Sequence, residues 1–492
     1  MHNEDTLVGG PLNRTDKDRA EIAGLTKDQQ KAYQGLIEFI NKPFNRKDFK
    51  RALVGAGGVG KTFLLKTILK NCNISFSQIG VSAPSHKACR VIRDSLAGLP
   101  IKVSTIQSDY GMRPDYNIDK FNERDIQFSR QGRIKVEDYN LYVVDEASMI
   151  NKALFDYMCK ILINNCCKLL LLGDVDQVPP VNELEPSAFK NITTYRLTQI
   201  VRQDEDNPIR ELCSMLRHDV ENNTFTFLNY ISTHKSKFDS TMTKGFMVCN
   251  SAEFQSQVEL QFSDEAITKN TDYVKVIAYT NIAVSAWNKF IREAIIKDSE
   301  KSVITKNDLI TSYITLVDEF KDTIIRNSED YIVKDIANYT HPKYSIKGFM
   351  IKFQAVHGGQ VTSPLFVLDH RDRYSVKRYC DICNDLIEQA KNASKQQRAS
   401  KWKKYFEFRE SCLILINIAK SDGTVLHYRN LDYGFSVTAH KSQGSTYNVS
   451  MVDINDIVYD KNGHPYKNAK DINRRLYVAV SRAKEKVILR YG

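Results

Sequence analysis

The sequence predicts an α/β protein in which parallel sheets carry helices on both faces, an arrangement met twice along one chain. Short β-rich runs alternate with helical stretches from Leu25 to about Tyr195, and a second alternation begins near Arg196. A glycine-rich turn, Gly55 to Thr62, joins a strand directly to a helix. The length, 492 residues, exceeds a single core and at ~100–200 residues per domain asks for three or four. With 42% apolar and 26% charged residues the chain can bury sizeable cores, which excludes disordered, collagenous and disulfide-scaffold classes. No apolar run nears the ~18 residues of a membrane span. A soluble, cytoplasmic protein is expected.

In order, residues 1–24 read as a polar, flexible tail without the apolar core of a signal peptide. The first domain, residues 25–195, takes its strands from Arg51–Val54, Gln78–Ala83, Leu141–Val144 and Lys168–Leu172. Between Asp109 and Asp138 the pattern breaks into a polar stretch with interspersed aromatics, too long for an ordinary βα loop, and residues 109–138 are expected to form a small insertion. The second domain is expected from residues 196–300 and 431–492, with strand Val274–Tyr279, helix Ala283–Ile296 and further strands at Gly434–Val437 and Lys486–Arg490. Residues 301–430 interrupt it with β-like runs, Ile346–Phe353 and Gln360–Leu368, followed by a basic helical arm from Tyr374 to Arg409.

Charge and cysteine usage add little. Seventy Lys and Arg against 59 Asp and Glu leave +11, compatible with a polyanionic partner or with a merely solvated surface. The ten cysteines are scattered, as in a reducing compartment. Cys380-x-x-Cys383 has metal-ligand spacing, but a zinc site needs two more ligands and only His370 and Cys412 lie near in sequence, so helix-face cysteines are the expectation.

Chemistry concentrates at two motifs. Gly55-Ala-Gly57-Gly58-Val59-Gly60-Lys61-Thr62 follows a strand and opens a helical run, the context of a phosphate-binding P-loop. Its backbone N–H groups would wrap the phosphates, Lys61 would reach the β- and γ-phosphates of ATP, and Thr62 would hold Mg²⁺. Downstream, the apolar run at Tyr142 ends in Asp145-Glu146. Asp145 at the carboxyl edge of the sheet can share the Mg²⁺, and Glu146 can serve as general base for the attacking water. A protein that only binds ATP does not need the second acid, so the pair points to hydrolysis.

Further blocks occur in a recognisable order. Leu25-Thr-Lys-Asp-Gln29, Ala83-Pro84-Ser85-His86-Lys87, Ser104-Thr105-Ile106-Gln107, Gly173-Asp174-Val-Asp176-Gln177-Val-Pro179-Pro180, Leu197-Thr-Gln-Ile-Val-Arg202, Ala278-Tyr-Thr280-Asn281, Thr438-Ala-His440-Lys441-Ser442-Gln443-Gly444 and Leu476-Tyr477-Val478-Ala479-Val480-Ser481-Arg482 together resemble the motifs of superfamily 1B DNA helicases of the RecD/Dda-like kind. The resemblance spans almost the whole chain. It implies two RecA-like P-loop motor domains, with a small β/pin insertion and an SH3-like plus helical accessory insertion. It implies that Gln29 reads adenine, that Gln443 and Gly444 join the P-loop residues at ATP, and that Gln177, Arg202 and Arg482 act on the γ-phosphate, the last as an arginine finger between domains that ATP draws together. Pro84, His86, Thr105, Asn281, Thr438 and His440 are the implied DNA contacts, neutral donors and small residues suited to sequence-independent binding. Phe121 and Phe128, in the pin position, are candidate wedges. Gln107 and Ser85 stand where His and Thr are usual, and both keep a hydrogen-bonding group.

The implied activity is an ATP-dependent DNA helicase translocating 5′→3′ on single strands. The alternatives are a DNA-stimulated ATPase that displaces bound proteins without processive unwinding, and a 3′→5′ translocase. Single-stranded and forked DNA are the expected partners, with single-strand-binding or replication and recombination proteins beside them and no membrane. A monomer in the cytoplasm of a bacterial or phage-infected cell is expected.

Overall fold

The computed structural model describes residues 21–114, 128–130, 132–180, 183–199, 207–297, 299–318, 323–355 and 359–492. Arg202 and Phe121 lie outside them. The chain divides into two compact units, one ending at Met112 and resuming over Arg130–Glu205, the other comprising Arg113–Ser129 and Asp206–Gly492.

The first unit is built on a six-stranded parallel sheet. Its order is Lys102–Thr105, Ile79–Ala83, Leu141–Val144, Lys168–Gly173, Lys50–Gly55, Thr193–Leu197. Leu141–Val144 and Lys168–Gly173 are buried at every position, as parallel strands covered on both faces must be. The two edge strands were not anticipated, because Lys-Val-Ser-Thr and Thr-Thr-Tyr-Arg-Leu are polar enough to pass for loops. One face is closed by helix Lys27–Asn41, whose Leu36, Phe39 and Ile40 join Leu53, Ile68 and Leu172 in a continuous apolar cluster. Asp109, Tyr110, Ile134 and Val136 are buried in the same unit. A two-stranded sheet of Met112–Pro114 and Phe128–Arg130 follows.

The second unit contains another six-stranded sheet, ordered Ser436–Thr438, Val274–Ala278, Tyr447–Asp453, Ala483–Arg490, Gly245–Cys249, Ser236–Phe238. All neighbours are parallel except the last, which closes the edge antiparallel. Helices Asn281–Ile295 and Ala469–Ser481 connect or flank these strands. The fold is thus mixed α/β with parallel sheets of the RecA-like motor type.

Residues between the second-sheet segments build an antiparallel sheet, ordered Leu365–Leu368, Ile346–Ala355, Asp330–His341, Leu309–Ser312, Leu431–Tyr433. The expected single basic arm is instead two helices, Arg373–Lys391 and Lys395–Ser411, broken at Asn392-Ala-Ser394. Trp402, Tyr405 and Phe408 on the second helix and Tyr379 and Cys383 on the first are buried together. Lysines interleaved with the aromatics, as at Lys401-Trp402-Lys403-Lys404-Tyr405, hid this apolar stripe. Among the described residues no three His, Cys, Asp or Glu side chains cluster as a metal site, and no helix is long and apolar enough to cross a membrane.

Candidate nucleotide and nucleic-acid sites

The glycine-rich turn begins at the carboxyl end of strand Lys50–Gly55, between two parallel neighbours. A side chain at Gly55 would meet the Leu197 carbonyl oxygen at 2.7 Å and Val59 Cγ2 at 2.8 Å, so glycine there permits strand packing as well as the turn. Gly58 and Gly60 take left-handed backbone conformations, φ 86° and 80°, which cost glycine little and any other residue strain. Helix Lys61–Asn71 starts immediately after, with Gly60 as a cap that offers no side chain, leaving its first N–H groups for an anion. Val59 is fully buried and contributes backbone alone. Lys61 Nζ donates to the Gly55 and Ala56 carbonyls at 2.6 and 2.9 Å, which keeps the ammonium over the turn. Thr62 is the second residue of the helix, and a Cβ at Gly57 would meet nothing within 4 Å.

Asp145 and Glu146 follow the carboxyl end of the central strand Leu141–Val144. Asp145 Oδ1 accepts the Glu146 N–H at 2.9 Å, and Glu146 sits in the left-handed region, φ 51°. That conformation, uncommon for a residue with a Cβ, swings the second acid out of the strand line. Desolvation pushes the Asp145 carboxyl above its ordinary value, opposed by the Glu146 amide and the Lys61 charge. The carboxylate is therefore short of positive partners, as a ligand for a divalent cation would be. Gln177 follows the next strand; its N–H donates to Asp174 O at 3.4 Å, and its buried Oε1 accepts no hydrogen bond. The glycine turn, the under-compensated Asp145 and the orphaned Gln177 oxygen fit a triphosphate with a bound divalent ion.

Gln29 is buried beside this turn. Its Nε2 donates to Val59 O at 3.0 Å, and its Oε1 accepts Thr26 N at 3.1 Å as half of a capping box. The adjacent Asp28 escaped the sequence reading. Its Oδ2 accepts Thr198 N at 2.6 Å and Gln199 N at 3.0 Å, and Oδ1 accepts Gln29 N at 2.8 Å. Desolvation would raise this carboxyl, but the Thr26 hydroxyl and these amides together hold it below the ordinary range. The signal was an acid in the first turn of a helix, too common to single out.

The predicted nucleic-acid residues gather at strand ends within each unit. Pro84 and His86 follow strand Ile79–Ala83, with Ser85 capping the helix through Ala88 N at 3.2 Å. Thr105 ends the neighbouring strand and caps the next helix. In the second unit Thr438 ends its strand, His440 lies two residues on, and Asn281 opens helix Asn281–Ile295 exposed to solvent. Desolvation and the Arg475 charge push the His440 imidazole below its ordinary pKa, favouring the neutral ring. Arg482 closes helix Ala469–Ser481 and donates to Val478 O and Ser445 O, both at 3.2 Å. It thereby ties this helix to the turn holding Gln443 and Gly444, the latter at φ 70°. Phe128 lies in the short strand Phe128–Arg130.

Residues 25–233 match the family model described as an AAA domain. The chain is 23% identical over 512 residues to an uncharacterized protein of Acanthamoeba polyphaga mimivirus, covering 93% of this chain and 98% of that one. It is 29% identical over 170 residues to the ATP-dependent RecD2 DNA helicase of Deinococcus radiodurans, a stretch that covers 34% of this chain and 21% of RecD2. Among solved structures, the Pif1 helicase of Candida albicans aligns with a TM-score of 0.48 at 16% identity, covering 95% of this chain and 94% of that one. Fold and site define a P-loop ATPase with two parallel-sheet motor domains. The ordered motifs resemble those of superfamily 1B helicases, and the RecD2 relative is itself described as an ATP-dependent DNA helicase.

Proposed function

We propose that the chain is an ATP-driven DNA helicase that moves 5′→3′ along a single strand and separates duplex ahead of it. The observation that carries the reading is the placement of Lys61, Asp145, Glu146 and Gln177 at the carboxyl ends of adjacent strands of one parallel sheet. Lys61 and the N–H groups opening helix Lys61–Asn71 hold the triphosphate, while the Thr62 hydroxyl and Asp145 carboxylate are the ligands for Mg²⁺. The bound ion supplies charge neutralisation on the β- and γ-phosphates. Glu146 accepts the proton of the attacking water. Gln177 offers its unpaired oxygen to the same water, and Arg202 and Arg482 supply the cations that a γ-phosphate spreading negative charge requires.

ATP turnover measured with and without single-stranded DNA, beside unwinding of duplexes bearing only a 5′ or only a 3′ tail, tests this. Stimulation by single strands and unwinding from 5′ tails are expected. Turnover indifferent to DNA would overturn the helicase reading, and unwinding from 3′ tails alone would reverse the polarity. Lys61→Ala should abolish turnover together with nucleotide binding. Glu146→Gln should abolish turnover by at least about a hundredfold while still binding ATP.

A further inference from the structure

Three adjacent parallel strands of the second sheet, Ser436–Thr438, Val274–Ala278 and Tyr447–Asp453, end side by side at the carboxyl edge, the edge at which open α/β sheets bind their ligands. Tyr279 follows the middle strand directly. The Arg475 guanidinium lies 3.7 Å from the centroid of its ring and 5.4 Å from that of Tyr466. The two rings meet edge to face with centroids 5.2 Å apart, and His440 stands 6.2 Å from Tyr279.

What distinguishes Arg475 is the lack of a polar partner. Arg292 is held by both oxygens of Asp308, at 2.8 and 3.0 Å, and by two carbonyls. Arg482 is held by two carbonyls and a hydroxyl. Among the described residues Arg475 makes ring contacts only, and its Nη1 has no acceptor. The nearby carboxylates are engaged elsewhere. Asp456 accepts Tyr279 N, Thr280 N and Thr280 Oγ1, each at 2.7 Å, and so fixes the backbone carrying the ring. Asp471 accepts the Asn468 side chain at 2.8 Å. A guanidinium with five donors, stacked on rings and left without an anion, is a prepared site for a ligand that brings negative charge and a flat face. Three residues after Tyr279, Ile282 is 82% exposed, an apolar surface a base can cover.

We propose that Tyr279, Tyr466 and Arg475 grip one nucleotide unit of a single strand, the rings stacking its base and Arg475 serving its phosphate. The inference rests on the helicase reading and adds to it a contact made without regard to sequence, since every base has a π-face. It also joins the grip to the ATP chemistry. Arg475, on helix Ala469–Ser481, and Arg482, the helical-conformation residue that caps it, lie seven residues apart, close to two full turns, hence on the same side and about 10 Å apart along the axis.

Binding of fluorescent oligo-dT to the full chain, titrated over a salt series, tests it. Arg475→Gln should weaken binding about tenfold and flatten the slope of log affinity against log salt by about 0.7, the value of one lost phosphate contact on a single strand, while Arg475→Lys keeps the slope. Tyr279→Ala should weaken binding about tenfold with the slope unchanged, and Tyr279→Phe should restore it. Thermal melts identify any variant that fails to fold; in that case the Lys and Phe variants, which preserve charge and ring, decide. Arg475→Gln with wild-type slope, whatever its affinity, overturns the grip and leaves the cluster as packing. Failure of the unchanged protein to bind oligo-dT at all would instead defeat the helicase reading itself.

Discussion

At the scale of single residues, Asp28 shows how a side chain outside the named motifs can organise them. It gathers the amides of Gln29, Thr198 and Gln199, so the residue beside the buried glutamine also anchors the chain leaving the last strand of the first sheet. Charge-assisted hydrogen bonds of this kind contribute about 1.5–3 kcal/mol, and partial exposure places Asp28 toward or below the lower end. Asp28→Asn should destabilise the first unit by about 1–2 kcal/mol at neutral pH. Because the folded carboxyl is held below the ordinary carboxylate value, its contribution is fully present above that value and is lost as pH falls through the lowered one. Thermal melts of the two proteins should therefore differ at pH 7 and converge in acid below about pH 4; a gap that persists there would show that charge is not the cause.

The antiparallel element between the second-sheet segments carries the opposite kind of titration. His370 Nε2 accepts the N–H groups of Leu415 and Ile416, both at 3.2 Å, a role open only to the neutral ring. Burial pushes its pKa down to about 4, and burial, with the Arg409 charge beside it, does the same for His427. Both imidazoles are neutral when folded and take a proton near pH 6.5 when unfolded. Stability from this source is complete above about 6.5 and drains away as pH falls toward 4, at about 1.4 kcal/mol per unit and per ring. Proteolysis or hydrogen exchange at pH 5 should open residues 301–433 before either parallel sheet, and His370→Gln should blunt that sensitivity. Equal protection of all three sheets at pH 5 would refute the assignment. Elements also show where sequence reading works. Val-Val-Asp145 and Leu-Leu-Leu-Leu-Gly173 were legible because central parallel strands are apolar throughout. Lys102–Thr105 and Thr193–Leu197 were not, because edge strands need only one partner and one covered face. The helical arm misled for a related reason: exposed lysines dominate composition, while four widely spaced aromatics decide the packing.

For the whole molecule, the boundaries of the first insertion can be drawn more tightly than the sequence allowed. Removing all of residues 109–138 would delete Tyr110, Ile134 and Val136, which are buried in the first core, and would be expected to unfold it. Replacing only residues 115–127 by a short Gly-Ser linker is the cleaner experiment. If this segment separates strands, that variant should keep DNA-stimulated ATP turnover and lose unwinding by tenfold or more; retention of unwinding would exclude the role. The chemistry was more legible than the strand path, since phosphate-binding loops and acidic strand ends need fixed residue types at fixed spacing. Gripping a backbone of any sequence needs only a cation and some rings, and Tyr279, Tyr466 and Arg475 come from three places in the chain that no spacing rule connects.

The strand order of the second sheet also has a consequence for synthesis on the ribosome. Gly245 pairs with Lys486 and Val274 with Val449, so a strand made early waits for partners about 175 to 240 residues later. At roughly 5–20 residues per second that delay is on the order of 10–50 s. Val276 and Ile277, both buried in the finished sheet, emerge long before the neighbouring strands that flank them, Ser436–Thr438 and Tyr447–Asp453, whereas the first sheet is complete once Leu197 has left the exit tunnel. Nascent chains stalled before Tyr447 should accordingly carry a protease-resistant amino-terminal half and recruit chaperones through the half that follows.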